Sequence, residues 1–430
     1  MKNDAKITLP YAHEQLTFSM SSGNIAAILT PNTPIDIPDP LQEVLRALAN
    51  PIGCSPLSEL VASQSRVVIV SDDNTRLTPA HLIVPAMLEQ LYSAGVKKNN
   101  IKIITALGTH RSMTLDEIKQ KFGVETASTV EILNHDFRNP AVLHDFGHTE
   151  NGTPIQVNKL VLEADVVIGI GSIVPHHIPG YSGGAKIIQP GICGEDTTAE
   201  THLLSVRTRR NMLGILENKV REEMEVIADK VGAKYVFNTV LDTQGRVIKA
   251  FFGDMRQAFR AGVQVSREVY GLPVARRTPI VVASSHPCDL EFWQAHKTLY
   301  PCDMLVEEGG MMIIVTPCPE GIAMTHPDVL KFANQSPEDI DQQIREGQIR
   351  DKVAGALALA WSKIRSNAEI CLVSHGVDSE AASKLGFTHA SSIEQALARA
   401  YARLGQNSAV TVLTHGADIL PLLPPVIIQK

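Results

Sequence analysis

Along most of this chain, short β-branched runs alternate with longer segments of helical periodicity. Residues 66–70, Arg-Val-Val-Ile-Val, predict a strand, and residues 80–94 carry the pattern of a helix. The same rhythm predicts strands over 101–106, 129–133 and 165–170 and a helix over 114–122. It resumes later with strands over 280–284, 311–315, 370–373 and 409–413, and helices near 338–347, 353–365, 378–385 and 392–404. Alternation of this kind builds a parallel sheet covered by helices. The first sixty residues depart from it. Their short alternating segments and many prolines predict a strand-rich entry lobe. A second break falls at Tyr270-Gly271-Leu272-Pro273 through Thr278-Pro279, where two prolines and a glycine mark a linker. The chain therefore reads as α/β, with two α/β lobes, mainly parallel sheets, and domains over 1–272 and 273–430. Ligands are expected in the cleft between the lobes, outside the carboxyl ends of strands.

A length of 430 residues agrees with two domains, and 44% hydrophobic with 20% charged residues is ordinary globular composition. The net charge of -7, with no run of Lys and Arg, argues against a nucleic-acid partner. Residues 1–20 are polar and mixed, without the apolar core of a signal peptide. Apolar runs such as 166–174 are too short to span a bilayer. The expectation is a cytoplasmic protein with no membrane partner. Six cysteines, at 54, 193, 288, 302, 318 and 371, form no C-x-x-C pair and are expected as free thiols. Cys193 stands between a lysine and a histidine of interest, but a small buried residue is the simpler reading.

Candidate chemistry gathers where strands hand over to loops. Ser71-Asp72-Asp73-Asn74-Thr75-Arg76 follows the first predicted strand, and Leu107-Gly108-Thr109-His110-Arg111 follows the second. Pro175-His176-His177-Ile178-Pro179-Gly180-Tyr181-Ser182-Gly183-Gly184-Ala185-Lys186 follows the strand ending at 170. Ser285-His286-Pro287-Cys288-Asp289 leads to Trp293, Gln294 and Lys297. One polar loop is usually only solvated, whereas four at strand ends fit a shared site. On an extended segment His176 and His177 would point to opposite sides, so one of them should face a ligand. Lys186 after two glycines invites a phosphate-loop reading, but Ala185 before it and Ile187 after it break the G-x-x-x-x-G-K-[ST] pattern. Arg76 and Lys297 would suit a carboxylate. Two histidines across such a clamp could remove and return a proton at a carbon bearing a hydroxyl.

These pieces, with Pro190-Gly191 and His202, resemble in order and spacing the nickel-dependent lactate racemase family, the nickel-pincer nucleotide 2-hydroxy acid racemases and epimerases. The Gly-Tyr-Ser-Gly-Gly-Ala-Lys block is the most specific of them. The resemblance implies an isomerase that carries a pyridinium-3,5-bisthiocarboxylic acid mononucleotide holding nickel through a carbon and two sulfurs. By position, Lys186 would be its covalent anchor and His202 its protein metal ligand. Asp73, Tyr181, Ser182, Gly183, Gly184 and Gln294 would order the cofactor. His110 and His176 would be the catalytic pair, each serving one enantiomer, while Arg76, Lys297 and Trp293 would contact the substrate. The 1–272 domain would bind the cofactor and the 273–430 domain would close the cleft. The implied partners are a small 2-hydroxy acid and the proteins that build the cofactor.

Two departures bear on the substrate. Trp293 stands where the family's lactate enzymes carry tyrosine, and Lys352 or Val353 where they carry a tryptophan. The expectation is a 2-hydroxy acid other than lactate, larger or polyhydroxylated, such as a sugar acid. Two other readings compete. A zinc hydrolase would use His110, His176 and His202 as ligands and leave Lys186 idle. A non-catalytic protein binding a nucleotide-like ligand would keep the glycine turn without needing the two histidines.

Overall fold

A computed structural model describes residues 4–208 and 211–424. The chain forms two compact units. A central unit holds Thr33–Ser205 and Gly214–Val269, and a terminal unit holds residues up to Asn32, Val206–Leu213 and everything from Tyr270. Both are built on six-stranded sheets that are wholly or mainly parallel.

The central sheet runs in the order Val247–Asp254, Tyr235–Leu241, Val166–Ser172, Val67–Asp72, Ile101–Ala106, Glu131–Asn134. All neighbours are parallel except the first pair, an antiparallel hairpin. Val67–Asp72 and Val166–Ser172 are buried at every position. A strand covered on both faces needs no polar alternation, which is why both read as continuous apolar runs. Val44 and Leu48 of the helix Pro40–Ala49 share a core with Val67, Ile69 and Ile103. Ile83, Met87 and Leu91 of the helix Ala80–Ser93 join the same core. From Val67–Asp72 the chain adds two strands on one side, then returns to pair Val166–Ser172 on the other. The strand order thus reverses beside Val67–Asp72, and loops at the carboxyl ends there face a common crevice.

The terminal sheet is parallel throughout, in the order Thr388–Ala390, Glu369–Val373, Val306–Val315, Thr278–Ser284, Val410–Leu413, Ile25–Leu29. The expected strands and helices of this region occur within a few residues of their predicted bounds. The first sixty residues form no separate lobe. The hairpin Asp4–Tyr11 with Glu14–Ser21 buries Ile7, Leu9, Tyr11 and Phe18 against Ile280, Val282 and Val412. Ile25–Leu29 adds the edge strand of the same sheet. Residues up to 32 therefore fall with the C-terminal half, which differs from a division into 1–272 and 273–430. Pairing with strands hundreds of residues away leaves no local trace. Pro40–Ala49 is a helix rather than a strand, started by Asp39, whose side chain accepts from Gln42 N, with Pro40 in its first turn. The hairpin Tyr235–Leu241 with Val247–Asp254 and the helices Lys219–Lys230 and Met255–Tyr270 add elements the periodicity had not singled out. Among the described residues, no helix is long and apolar enough to cross a membrane.

One buried histidine makes the central unit sensitive to acid. At the end of Glu131–Asn134, His135 Nδ1 accepts from Asn158 Nδ2 at 3.3 Å and Nε2 donates to the Cys193 carbonyl at 2.9 Å. Burial pushes its pKa from 6.5 down to about 4. A histidine held neutral in the fold contributes fully above its ordinary pKa and is lost as pH falls toward the folded value. Its share, on the order of 3 kcal/mol by proton linkage, should therefore disappear between about pH 6.5 and 4. Urea unfolding at pH 7 and pH 4.5 should show a smaller acid loss in His135→Gln than in the wild type. Equal losses would remove His135 as the cause.

Candidate active site

Two loops at the carboxyl ends of neighbouring strands carry the first group of residues. Asp73 follows Val67–Asp72 directly and is 2% exposed. Its Oδ1 accepts from the Thr75 amide at 3.1 Å and the Thr75 hydroxyl, and its Oδ2 lies 2.6 Å from His110 Nδ1. Burial alone would raise the Asp73 carboxyl. The charges of His110 and Arg76 and the hydrogen bonds from His110 and Thr75 outweigh it and hold the group well below the usual carboxylate range. An ionised carboxylate only accepts, so His110 donates through Nδ1–H and neutral His110 keeps a lone pair on Nε2. The Arg76 guanidinium is steadied by Nη1 donating to Thr75 Oγ1 at 2.7 Å.

Glu117 ties these loops together. It receives a two-point ion pair from Arg111 at 2.7 and 2.9 Å and a bond from Asn74 Nδ2 at 2.8 Å. It also closes the capping box of the helix Leu115–Phe122 with Thr114. Thr114-Leu115-Asp116-Glu117 advertised that box, though not the loop contacts. Beneath the loops, Lys121 Nζ pairs with Asp72 at 2.9 Å and donates to the Arg76 carbonyl at 2.9 Å.

The glycine-rich segment forms a second group. Pro175–His176 pairs antiparallel with Gly180–Tyr181. The extended stretch ends at His176, so His177 does not alternate as expected. The two imidazoles stack, with centroids 4.6 Å apart and planes 15° off parallel. Ile178 N donates to His176 Nδ1 at 3.2 Å, which places the proton of neutral His176 on Nε2. His110 and His176 are thus held in opposite tautomers. Gly180 has φ +81°, and a Cβ there would strike the Ile215 carbonyl oxygen. The Ser182 hydroxyl donates to the Ser172 carbonyl at 2.7 Å and accepts from Val174 N at 2.9 Å, so its polar capacity serves the turn itself. Tyr181 is buried, and burial raises its phenol. Gly183 and Gly184 have φ +80° and +56°, and Gly184 N donates to Asn238 Oδ1 at 3.0 Å. Arg221, from the first turn of Lys219–Lys230, donates to the carbonyls of Tyr181 and Gly183. Burial lowers its pKa to about 9. Neither Arg221 nor Asn238 carried a local signal. Lys186 sits in the short 3-10 helix Gly184–Ile187 that the turn launches.

His202 lies on the helix Glu195–Thr208, where its Nδ1 donates to the Thr198 carbonyl at 2.8 Å. That bond places the proton of neutral His202 on Nδ1, so its lone pair belongs to Nε2. Among the described residues, His110, His176 and His202 do not gather into one three-ligand metal cluster, so the geometry gives the zinc reading no support. Cys193 is fully buried, with burial raising its thiol and Sγ donating to the Ile188 carbonyl at 3.2 Å, the environment of a structural cysteine.

In the terminal unit, Trp293 and Gln294 lie on the helix Phe292–Ala295 and Lys297 on the 3-10 turn that follows. Lys297 Nζ donates to Gln294 Oε1, the three-residue spacing expected of that pair, and stands 3.9 Å from Cys288 Sγ. Trp293 stacks on His326 at 4.4 Å and meets Trp361 edge-on at 6.1 Å. His326 is braced through Nδ1 by Asp351 at 2.7 Å. Lys352 and Val353 open the helix that carries Trp361, with Val353 wholly buried.

Comparison with known proteins is consistent over the chain. A family model described as the lactate racemase N-terminal domain matches residues 11–214, and one described as the lactate racemase C-terminal domain matches 275–420. A lactate racemase from Thermoanaerobacterium thermosaccharolyticum is 31% identical over 323 residues, 74% of this chain and 75% of the relative. One from Lactiplantibacillus plantarum is 29% identical over 402 residues, 91% and 93% of the two chains. The solved lactate racemase apoprotein from T. thermosaccharolyticum superposes with a TM-score of 0.87 at 27% identity, covering 97% of this chain and all of that one. A Thermotoga maritima structure shares the fold, with a TM-score of 0.73 at 20% identity over 90% of this chain and all of that one.

The collision at Gly180 makes a direct test of the turn. Gly180→Ala should cost about 3 kcal/mol or more, through a disfavoured φ and a backbone clash. A urea midpoint equal to that of the wild type would show that the turn is not built as described.

Proposed function

The chain belongs to the lactate racemase family, whose members are isomerases, and from that premise we propose that it inverts the 2-carbon of a 2-hydroxy acid with the help of a lysine-tethered nickel-pincer nucleotide. The bond between His110 Nδ1 and ionised Asp73 carries the reading. It leaves the Nε2 lone pair able to take the proton of a substrate hydroxyl, and the carboxylate then stabilises the imidazolium that results. His176 is the second proton-transfer group and serves the opposite enantiomer. Its Nδ1 is occupied by the Ile178 amide, so to accept at Nε2 it must first move its ring proton, whereas His110 needs no such change. The planar guanidinium of Arg76 matches a carboxylate, and Lys297, held by Gln294, is the second cation proposed for the substrate.

The residues present fit the cofactor. Lys186 offers a primary amine beside two glycines of positive φ, and His202 offers an imidazole whose Nδ1 is already engaged. Imidazole is a ligand suited to nickel, and His202 would hold the metal from the protein side. Bound there, the group would supply a hydride acceptor and donor. Gly183 and Gly184 would let the backbone approach it, Tyr181 and Ser182 would hold the shape of the turn, and Gln294 would order the clamp. Asp73, grouped by resemblance with the cofactor, has its carboxylate on His110, and we assign it to the catalytic base. We extend the proposal to a substrate other than lactate, a larger or polyhydroxylated acid, because Trp293 in place of the family's tyrosine marks a difference from the lactate enzymes at a proposed substrate contact.

Asp73→Asn should leave the fold intact and lower kcat on the order of 10²- to 10³-fold, because the amide neither fixes the His110 tautomer nor stabilises its charge. Unchanged kcat would detach Asp73 from the base. Enzyme matured alongside the cofactor-building proteins and given 2-deuterated hydroxy acids, lactate and sugar acids among them, should invert them with the label kept at the 2-carbon. Washout into solvent would replace hydride return by enolisation, and fastest turnover of lactate would refute the larger substrate.

A further inference from the structure

We propose that Arg221 is the positioning residue for Lys186, holding the glycine turn in the one shape that presents the lysine amine for cofactor attachment. The proposal rests on the reading of Lys186 as the anchor. Arg221 is 1% exposed. Its Nη1 donates to the Gly183 carbonyl at 3.0 Å and its Nη2 to the Tyr181 carbonyl. The amide of Lys186 also donates to the Gly183 carbonyl, at 3.3 Å. One carbonyl oxygen therefore joins the guanidinium to the backbone of the anchor residue.

The face of Arg221 lies over the Phe259 ring, 4.2 Å from its centroid. The same ring fills the space where a side chain at Gly184 would go, with a Cβ 2.8 Å from it. Guanidinium and phenyl ring thus grip the turn across Gly183 and Gly184, the two positions freest to rotate. Among the described residues, no carboxylate forms an ion pair with Arg221. A buried cation bonded only to carbonyls is a costly way to fill space, and an apolar side chain would do so with less desolvation. What the planar fork provides and an apolar residue cannot is a fixed separation between two carbonyls. Lysine, with a single nitrogen, would hold them less rigidly.

Attachment would join Lys186 Nζ to the acyl carbon of a thiocarboxyl arm; with the sulfur kept for the metal, the oxygen of that arm would leave as water, taking one proton from the amine and one from the thioacid, with no change in oxidation state. The nitrogen must come within bonding reach of that carbon, and small misplacements slow such steps steeply.

The test is the intact mass of wild type, Arg221→Met, Arg221→Lys and Lys186→Ala, each produced with the cofactor-building proteins. Circular dichroism and thermal unfolding of the cofactor-free proteins report the fold. We expect the adduct on wild type, none on Lys186→Ala, a loss on the order of tenfold in folded Arg221→Met, and partial rescue in Arg221→Lys. If Arg221→Met does not fold, the occupancy of Arg221→Lys decides. Wild-type occupancy in the folded variants overturns the role of Arg221 while leaving the anchor in place. An unmodified wild type overturns the anchor itself, and the role of Arg221 with it.

Discussion

A buried carboxylate has to be paired, and in the central unit that requirement organises the loops around Asp73. Its two oxygens take donors from its own loop and from the loop after the next strand. Leaving that charge unpaired would cost several kcal/mol. Loop conformation and the tautomer of His110 are therefore set by one constraint. Glu117 and Lys121 repeat the device from below, each bonding to the loop that carries Arg76. The strand order brings these loops together, since it reverses beside Val67–Asp72 and leaves their carboxyl ends on one side.

The glycine turn solves a different problem. Its residues must run close to neighbouring backbone, so side chains cannot fill the space, and the glycines at 180, 183 and 184 leave little intrinsic stiffness. Rigidity is imported. Ser182 binds the preceding strand end, Asn238 receives the Gly184 amide, and Arg221 holds two carbonyls. One polar side chain of the turn and two from other elements replace the packing that a Cβ would otherwise give.

Much of this was legible in the chain. Strands buried on both faces read as unbroken β-branched runs, and polar loops at their ends named Asp73, Arg76, His110, His176 and Lys186 as candidates. The Gly-Tyr-Ser-Gly-Gly-Ala-Lys block pointed to the family. Local patterns failed where a contact is remote. Nothing near Ile25 announces a partner at Val410, and nothing near Arg221 announces the carbonyls forty residues earlier. The stacking of His176 on His177 escaped for another reason, because alternation holds only while a strand continues and this one stops after two residues.

By itself the sequence determined most of the strands and helices of the two sheets, that the sheets are mainly parallel, and which polar residues follow several of their carboxyl ends. Those properties follow from periodicity and from the backbone preferences of single residues, which act over a few positions. The tertiary structure alone decided which ring nitrogen of each neutral histidine carries its proton, that Asp73 pairs with His110, and that Ile25–Leu29 completes the sheet of the C-terminal half. Each depends on a hydrogen bond or a strand pairing between residues far apart in the chain, and such contacts exist only once the backbone has closed on itself.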